Sequence, residues 1–363
     1  VDDATATGSL GYAIGTTLKA GDTLPDAIVS QFPTKADGTP YSRYAVEFFD
    51  DSVRQHMRSG ALNANSGSPM YDGVIATSDG TLLHDVQWDF AKVTKLTILP
   101  IPEERGHIKN GNFVTTGLRA QTEVPYSRGG GKGLYYYRNI EVQYAANLDI
   151  SGIDHRLGAP DDWTAPWDEL SGSYYGLFFI TYSSDVKVSD SRFWGRKFSA
   201  AGRSTYDLVY NHVIDMTFQG LTDNTPITDE DRWSVVAGAF GKHLTFDNCT
   251  TIRAGTHETV YNFTIKNCDL GRISLCGKGL LLIQDTTVHE EYFVNLRSDY
   301  GTTWAGELRI VNCTHAYNGK NRPRLVNIPF DTTNGALCDY GYEVHFPNLM
   351  IDGLTVDYGA NNR

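Results

Sequence analysis

The feature that most constrains this chain is a short turn motif that recurs along its 363 residues. The motif has a large apolar residue at position zero, Asn, Asp or Gly at position two, and mostly small or apolar residues at position three. Nine copies occur, with position zero at Ile108, Ile150, Val188, Phe218, Phe246, Ile265, Ile283, Ile310 and Ile351. Because one copy cannot bury its own apolar face, the repetition predicts a coiling chain whose copies stack on one another.

The spacing of the copies indicates which kind of coil forms. Consecutive copies lie 42, 38, 30, 28, 19, 18, 27 and 41 residues apart. The shortest interval leaves room for three short strands and three bends, at about 3.3 Å per strand residue, which is one turn of a β-solenoid. Asn, Asp and Gly at position two tolerate the left-handed backbone of a tight turn. We therefore predict an all-β, single-stranded, right-handed parallel β-helix with long loops between its coils.

The amino-terminal part of the chain contains no clear copy of the motif. We predict that residues 1–92 form a cap and the first irregular coils, since the end of a solenoid must be covered, and that residues 93–363 form the β-helix. Within the cap, Asp50–Ser59 is predicted as a short helix, and Thr81–Leu99 is expected to start the regular stack.

Composition excludes several classes of function. The net charge of −12 and the pI near 5.2 argue against a nucleic-acid partner. No apolar run approaches about eighteen residues, so we expect no membrane-spanning helix. Cys249, Cys268 and Cys313 stand at position three, which predicts free, buried thiols. No CxxC or HExxH pattern occurs, and we predict neither a metal site nor a cofactor.

Long acidic and aromatic segments join the coils. Gly158–Gly176 carries two Trp, two Tyr and four carboxylates, and Thr222–Trp233 contains Arg232 beside Trp233. Loops of this kind on one side of a rigid stack can form the walls of a groove in which aromatic rings stack on sugars. The alternative is that these aromatic side chains pack over the flank of the solenoid.

The shortest coils place charged residues beside an outward polar row. Alternation in Arg272–Leu275 and Phe293–Leu296 predicts that Ser274 and Asn295 point outward, in one row with Asn327. Further residues accompany this row: Arg253, His257, Glu258, Arg272, Arg297, Asp299 and Tyr300. Such a group could supply a general acid and base together with arginines for an anionic substrate. The alternative is a solvated face with salt bridges between coils. Asp154, His155 and Arg192 form a second candidate group.

Several of these segments resemble a known group of proteins. NLRSDYGTTW, HETVYNFTIKN, TYDL and the repeated NC turns look like the right-handed β-helix proteins of phage tailspikes and appendages, within the pectate-lyase-like superfamily. The resemblance runs from about Val93 to Asp357. It implies a working face lined by Asp207, Arg232, Arg253, His257, Arg297 and Asp299. In the relatives an acidic residue stands two before the His. Here that residue is Gly255, so either Glu258 replaces it or the chemistry lies elsewhere.

The resemblance also implies a function. Such proteins cleave polysaccharides outside the cell, as secreted or virion-associated homotrimers, and the arginines favour an acidic substrate. Hydrolysis needs two carboxylates, whereas β-elimination needs a base and a cation beside the sugar carboxylate, and both stay open. The rival is a non-catalytic glycan-binding or structural fibre domain. We expect catalytic roles for His257, Glu258, Asp299, Asp207 and Asp154, and substrate binding by Arg253, Arg272, Asn295, Arg297, Tyr300, Arg232 and Trp233.

Overall fold

The structure is a computed structural model that describes residues 5–7, 13–55, 67–115, 137–157, 175–193, 206–223, 226–228, 236–257, 260–297, 303–317, 319, 321–328 and 345–359. This part of the chain is nearly all β, with one short helix, α1 (Asp26–Val29), and its strands form an antiparallel sheet of four strands and a parallel sheet of nineteen. The predicted fold class, a parallel β-helix, is confirmed. No helix among the described residues is long and apolar enough to cross a membrane.

The antiparallel sheet is built from the amino-terminal part of the chain. Its strands are β1 (Thr5–Thr7), β2 (Arg43–Gln55), β3 (Ser68–Thr77) and β4 (Lys95–Ile101), in the order β1-β4-β2-β3. The predicted helix is wrong over Asp50–Gln55, because pairing with β3 keeps these residues in β2. Residues 56–59 lie outside the described part. The pairing partner comes from elsewhere in the chain, and such pairing overrides local preference.

The start of the parallel stack also differs from expectation. Lys95–Leu99 pairs with β2 in the antiparallel sheet, so the expected first coil at Thr81–Leu99 is not part of the solenoid. The first strand of the parallel sheet begins at Gly106. The alternating apolar residues of β4 face a buried cluster of the antiparallel sheet that includes Val46 and Leu96. Alternation alone does not tell which sheet a strand joins, and here the antiparallel neighbours decide it.

The strands of the solenoid follow one another along the chain. They are β5 (Gly106–Lys109), β6 (Asn112–Thr115), β7 (Tyr137–Gln143), β8 (Ala146–Ser151), β9 (Asp154–Leu157), β10 (Tyr175–Ser189), β11 (Arg192–Phe193), β12 (Leu208–Gln219), β13 (Thr222–Asp223), β14 (Val236–Asp247), β15 (Thr250–Gly255), β16 (Val260–Lys266), β17 (Asp269–Leu275), β18 (Gly277–Gln284), β19 (Thr287–Val288), β20 (Tyr292–Leu296), β21 (Trp304–His315), β22 (Arg324–Asn327) and β23 (Asn348–Val356). All their pairings are parallel, each with a strand of the next coil.

The repeat motif sets the register of these coils. The nine position-zero residues pair with one another in one unbroken row from Ile108 to Ile351. Every position-two residue has a positive φ, for example 54° at Asn248 and 56° at Asn267. Cys249, Cys268 and Cys313 at position three are buried free thiols. The predicted turn, register and inward cysteine positions are therefore confirmed, because they follow from local backbone conformation and alternation.

The antiparallel sheet packs against the flank of the solenoid, and we call this contact the seam. Ala45, Ile75, Leu99 and Ile101 form one apolar cluster with Ile214 of the solenoid. Lys278 Nζ, on β18, also reaches the carbonyl oxygen of Gln87 at 2.7 Å. The seam thus runs along the side of several coils. These contacts lie on the flank of the solenoid and not over its end. The predicted cap and the division at residue 92 stay predictions.

A stack of rings marks the solenoid side of the seam. Tyr144, Tyr182, His212 and Phe240 succeed one another on four coils, all with positive φ, and their ring centroids are 5.3, 4.7 and 4.5 Å apart. Tyr71 of β3 meets the His212 ring edge-on at 4.4 Å. Each of these four residues marks a second left-handed position on its coil. The sequence did not reveal this position, because neither Tyr nor Phe is a usual residue for that conformation.

Candidate functional site

The outward polar row predicted on the short coils is present. Ser274 pairs with Asn295, and Asn295 pairs with Asn327, in the parallel register. Asn327 Nδ2 donates to Asn295 Oδ1 at 2.8 Å, and Asn295 Nδ2 donates to Ser274 Oγ at 3.1 Å. The alternation that predicted this row also places Ile273, Leu275 and Leu296 in the core, where all three are fully buried. This polar row is therefore confirmed in its register, although Ser274 itself is buried.

Arg253 and Arg272 lie side by side on neighbouring coils, as their spacing predicted. Arg253 is only 2% exposed, and its Nη2 donates to the carbonyl oxygen of Ser274 at 3.1 Å. Burial, together with the nearby charges of Arg297 and Arg272, lowers the pKa of Arg253 to about 10. A guanidinium held this way fixes the backbone of the next coil, so its substrate-binding role remains a prediction.

Arg297, which was expected beside the outward polar row as a substrate-binding residue, is largely covered. Its side chain is 9% exposed, and Nη1 donates to the carbonyl oxygen of Thr256 at 3.3 Å. Its backbone N–H donates to Leu275, on the preceding coil. Alternation in Phe293–Leu296 carried no information about what covers the next residue, Arg297. Truncating Arg297 therefore removes buried contacts as well as a charge.

His257 and Asp207 contact different partners: His257 contacts Tyr206, and Asp207 contacts His155. His257 Nε2 lies 2.6 Å from the hydroxyl of Tyr206, with the two rings edge to face. The next residue, Asp207, lies 3.0 Å from His155 Nδ1 through its Oδ1, and both side chains are almost fully buried. The expected group of Asp207 with the arginine row is thus not formed among these contacts, because the Tyr206–Asp207 dipeptide directs its two side chains to different histidines.

Asp154 and Arg192 are neighbours in register, as predicted for the second candidate group. The carboxylate of Asp154 binds Arg156, two residues on along the same strand. The hydrogen bond from Arg156 lowers the pKa of Asp154. His155 points into the solenoid beside Asp207, so the expected trio of Asp154, His155 and Arg192 is divided between the outside and the inside of the coil.

The packing around Gly255 excludes the acidic residue that the resemblance implies at this position. A Cβ at this position would lie 2.1 Å from the carbonyl oxygen of Ser274 and 2.8 Å from Arg253 Nε. The stacked coil and the arginine thus leave no room for any side chain here. Of the remaining predicted residues, Glu258, Asp299, Tyr300, Arg232 and Trp233 lie outside the described residues.

A cleft of about 560 Å³ crosses the outer face of this part of the solenoid. Its floor follows one register position over five coils, at Ile252, Gly271, His289, Ala316 and Asp357. Arg272, Glu290 and Tyr317 lie one residue further along and also line it. Of these residues the sequence analysis named only Arg272. Extending the repeat alignment to position six would have placed His289 and Asp357 in one row.

Charged groups in the cleft are paired with one another. Arg272 Nη1 lies 3.5 Å from Glu290 Oε1, and the two side chains are 15% and 33% exposed. His289 Nε2 lies 2.6 Å from Asp269 Oδ1. Glu290 and Asp357 stand two coils apart, which separates their backbones by about 10 Å at about 4.8 Å per coil. The cleft is therefore lined by two acidic residues that stand two coils apart.

A possible metal centre lies at the seam, where one ligand atom each from His84, Asp215 and His243 approach within 4.8 Å. The hydrogen bonds oppose this use. His84 Nδ1 accepts the N–H of Ile75 at 3.2 Å, so Nε2 carries the proton and donates to Asp215 at 3.1 Å. Asn262 accepts a backbone N–H through Oδ1 and turns its amide nitrogen to His243 Nε2. A metal ligand needs the opposite arrangement, with a free lone pair toward the metal.

Comparison with known proteins gives likenesses of structure only. No known protein family and no curated protein matches the sequence. The tailspike gp61 of Pseudomonas phage phi297 is matched at 9% identity over 98% of this chain and 58% of that chain, with a TM-score of 0.47. The tailspike Gp54 of Acinetobacter baumannii bacteriophage AP22, in complex with a capsular saccharide, is matched at 12% identity over 98% and 57%, with a TM-score of 0.46.

A third likeness is the tailspike gp49 of Pseudomonas phage LKA1, at 8% identity, over 99% of this chain and 66% of that chain, with a TM-score of 0.30. Phage tailspikes are thus among the structures that this chain matches, as the sequence resemblance predicted. The chain spans less than two thirds of the length of these three structures. Identities and TM-scores this low carry no argument about activity or substrate.

Proposed function

We propose that this protein cleaves an extracellular polysaccharide and that the cleft over the coils of β15, β17, β19, β21 and β23 holds the chain. The observation that carries the proposal is a groove that crosses five coils and contains the carboxylates of Glu290 and Asp357. A groove that follows the stack suits a linear polymer, and two carboxylates flanking one space are the minimum equipment for glycoside hydrolysis.

The arrangement of these carboxylates favours hydrolysis over elimination. Their backbones are separated by about 10 Å, and side chains that converge from this distance can approach the separation of about 6.5–9.5 Å used by inverting enzymes. Elimination needs a cation free to neutralise a uronate, and Arg272 already has Glu290 as its partner. We therefore assign Glu290 and Asp357 to the acid and base, and Arg272 to holding Glu290 in position.

The other predicted residues keep a supporting place in the proposal. Arg253 fixes the Ser274 carbonyl behind the cleft, and His257 binds Tyr206. Asn295 belongs to the polar row beside Arg297. Asp207 and Asp154 are engaged with His155 and Arg156, so we propose positioning roles for them. Glu258, Asp299, Tyr300, Arg232 and Trp233 remain predicted contributors to the walls of the groove.

The test uses a panel of bacterial polysaccharides, with chain length followed by size-exclusion chromatography. We expect one polymer to shorten, and Glu290→Gln and Asp357→Asn each to slow this by about 10²–10⁴-fold, the usual share of a general acid or base. Glu291→Gln is the matched control, because Glu291 binds Asn321 instead. Proton NMR of the first product should show inverted anomeric configuration. Ultraviolet absorbance from an unsaturated product would replace hydrolysis by elimination.

A non-catalytic glycan-binding domain is the second candidate. The pairs Arg272–Glu290 and His289–Asp269 favour it, because side chains that satisfy one another can also be purely structural. This candidate predicts glycan binding without product, and equal affinity in the wild type and in Asp357→Asn.

Assembly and location follow from the resemblance alone. We propose a homotrimer, secreted or virion-associated, with polysaccharide as its partner and no nucleic acid, membrane or cofactor. Light scattering at micromolar concentration tests the trimer, and a clean monomer would contradict it for this chain.

A further inference from the structure

We infer that the cleft binds glycan units that carry no anionic group, contrary to the acidic substrate that its arginines suggested. The inference rests on the proposed function in that a glycan occupies the cleft. Which sugars fit there depends on how the charged groups of the cleft are already paired.

The guanidinium of Arg272 and the imidazole of His289 are both paired with carboxylates in the part of the chain that the structure describes. Arg272 lies 3.5 Å from Glu290 Oε1, and His289 lies 2.6 Å from Asp269 Oδ1. A sugar carboxylate or phosphate would have to displace a protein carboxylate from each of them. Such an exchange gains little, because the new ion pair only replaces one that already exists.

Carboxylates outnumber cations around this space. Asp357 and Glu290 both line the cleft. Against these two carboxylates stands one guanidinium, that of Arg272, and the whole chain carries a net charge of −12. An anionic sugar would therefore approach a surface of like charge, which lowers both its affinity and its association rate.

The two neighbouring arginines do not compensate for this excess. Arg253 and Arg297 are 2% and 9% exposed, and each donates to a backbone carbonyl of an adjacent turn. A substrate anion would have to break those contacts and enter a buried space. Arg253 and Arg297, which suggested an acidic substrate, are therefore buried residues that hold the backbone of adjacent turns.

The remaining lining suits neutral sugars. Ile252, Gly271 and Ala316 form an uncharged floor, and the buried ring of Tyr317 adds apolar surface beside it. The side-chain hydroxyl of Thr228, which also lines the cleft, can exchange hydrogen bonds with sugar hydroxyls without a charge. The chemistry of the lining thus matches hexoses and N-acetylated hexosamines.

The experiment compares matched polymers. Hyaluronan, alginate and gellan are each tested beside their own carboxyl-reduced, neutral form, together with an array of neutral, N-acetylated and anionic bacterial oligosaccharides. We expect the neutral member of a bound pair, or the neutral glycans of the array, to bind at least about tenfold more tightly, a difference of about 1.4 kcal/mol. Preference for the anionic member, or binding to neither class, would overturn the inference. Neutral binding without cleavage would overturn only the proposed function.

A variant pair isolates the cause. Glu290→Gln leaves Arg272 without its carboxylate partner in the cleft, so affinity for the anionic polymers should rise about tenfold, approaching that for the neutral forms. Glu291→Gln makes the same change in net charge away from the cleft and should leave the preference unaltered. Equal gains in both variants would mean that overall charge, not the cleft, sets the preference, and would overturn the inference.

Discussion

Two ion pairs of this protein, one at the seam and one in the cleft, show how burial separates a structural contact from a functional one. At the seam, Lys242 Nζ lies 2.6 Å from Asp72 Oδ1, and the side chains are 2% and 0% exposed. In the cleft, Arg272 and Glu290 are 15% and 33% exposed. Only the second pair borders a space that a ligand can enter. Charge alone therefore does not identify a working site, and what surrounds the charge does.

The seam pair is also the more completely satisfied. Asp72 accepts the N–H groups of Gly73 and Gln87, and Lys242 donates to the carbonyl of Asp85 at 2.8 Å. Burial lowers the pKa of Lys242 and raises that of Asp72, while their mutual attraction opposes both shifts. The contact joins β14 of the solenoid to β3 of the antiparallel sheet, so it ties the two sheets together.

The largest predicted effect tests this tie. Lys242→Ala leaves a buried carboxylate uncompensated, and we expect the free energy of unfolding to fall by about 3–5 kcal/mol. Lys266→Ala is the control, since Lys266 pairs with Asp247 at 3.4 Å on a 40% exposed side chain and should cost at most about 1 kcal/mol. Urea denaturation measures both. Equal losses would remove the distinction between buried and exposed pairs.

The seam also contains a carboxyl group that resists ionisation. Burial raises the pKa of Glu47 to about 7, partly offset by the hydrogen bond from Tyr71. The folded state therefore binds the proton more tightly, and this contribution to stability is present below about pH 4.3, the usual Glu pKa, and lost as the pH rises through about 7. We expect Glu47→Gln to stabilise the protein by about 3 kcal/mol at pH 8 and by little at pH 4. Melting temperatures that shift equally at both pH values would contradict the buried-acid explanation.

The burial of Arg297 lies between that of the ion pair at the seam and that of the ion pair in the cleft. Because its guanidinium is buried and donates to Thr256, we expect Arg297→Ala to lower the free energy of unfolding by about 1.5–3 kcal/mol. An exposed arginine, Arg309, pairs with Glu307 on a 44% exposed side chain, and Arg309→Ala should cost no more than about 1 kcal/mol. Guanidinium chloride unfolding of the two variants checks this. An unchanged midpoint for Arg297→Ala would mean that Arg297 contributes nothing to stability and would favour its predicted role in substrate binding.

The smallest effect is expected just outside the cleft. Thr287 and Thr314 face outward on neighbouring coils at position four, two residues before the cleft floor. Thr314→Val should change stability by within about 0.5 kcal/mol and leave glycan cleavage unaltered. A clear loss of activity at normal stability would extend the site beyond positions six and seven.

Much of the solenoid could be predicted from local sequence. Asn248 and Asn267 mark left-handed turns because few other residues adopt that conformation at low cost. The row of Ser274, Asn295 and Asn327 followed from alternation, since successive residues of a strand point to opposite faces. These rules act within a few residues, so the chain itself states them.

The tertiary structure decided what lies over those outward faces. Nothing local to Asp50–Gln55 indicates that β3 will pair with it, or that Arg297 will be covered whereas Glu290 stays partly open. The cleft likewise exists only once five coils align at the same register. By itself the sequence determined the coil, its turns and its inward and outward rows, because backbone conformation and alternation are short-range. The seam, the buried arginines and the cleft depended on contacts between residues far apart in the chain, where burial and not residue type sets the role of each charge.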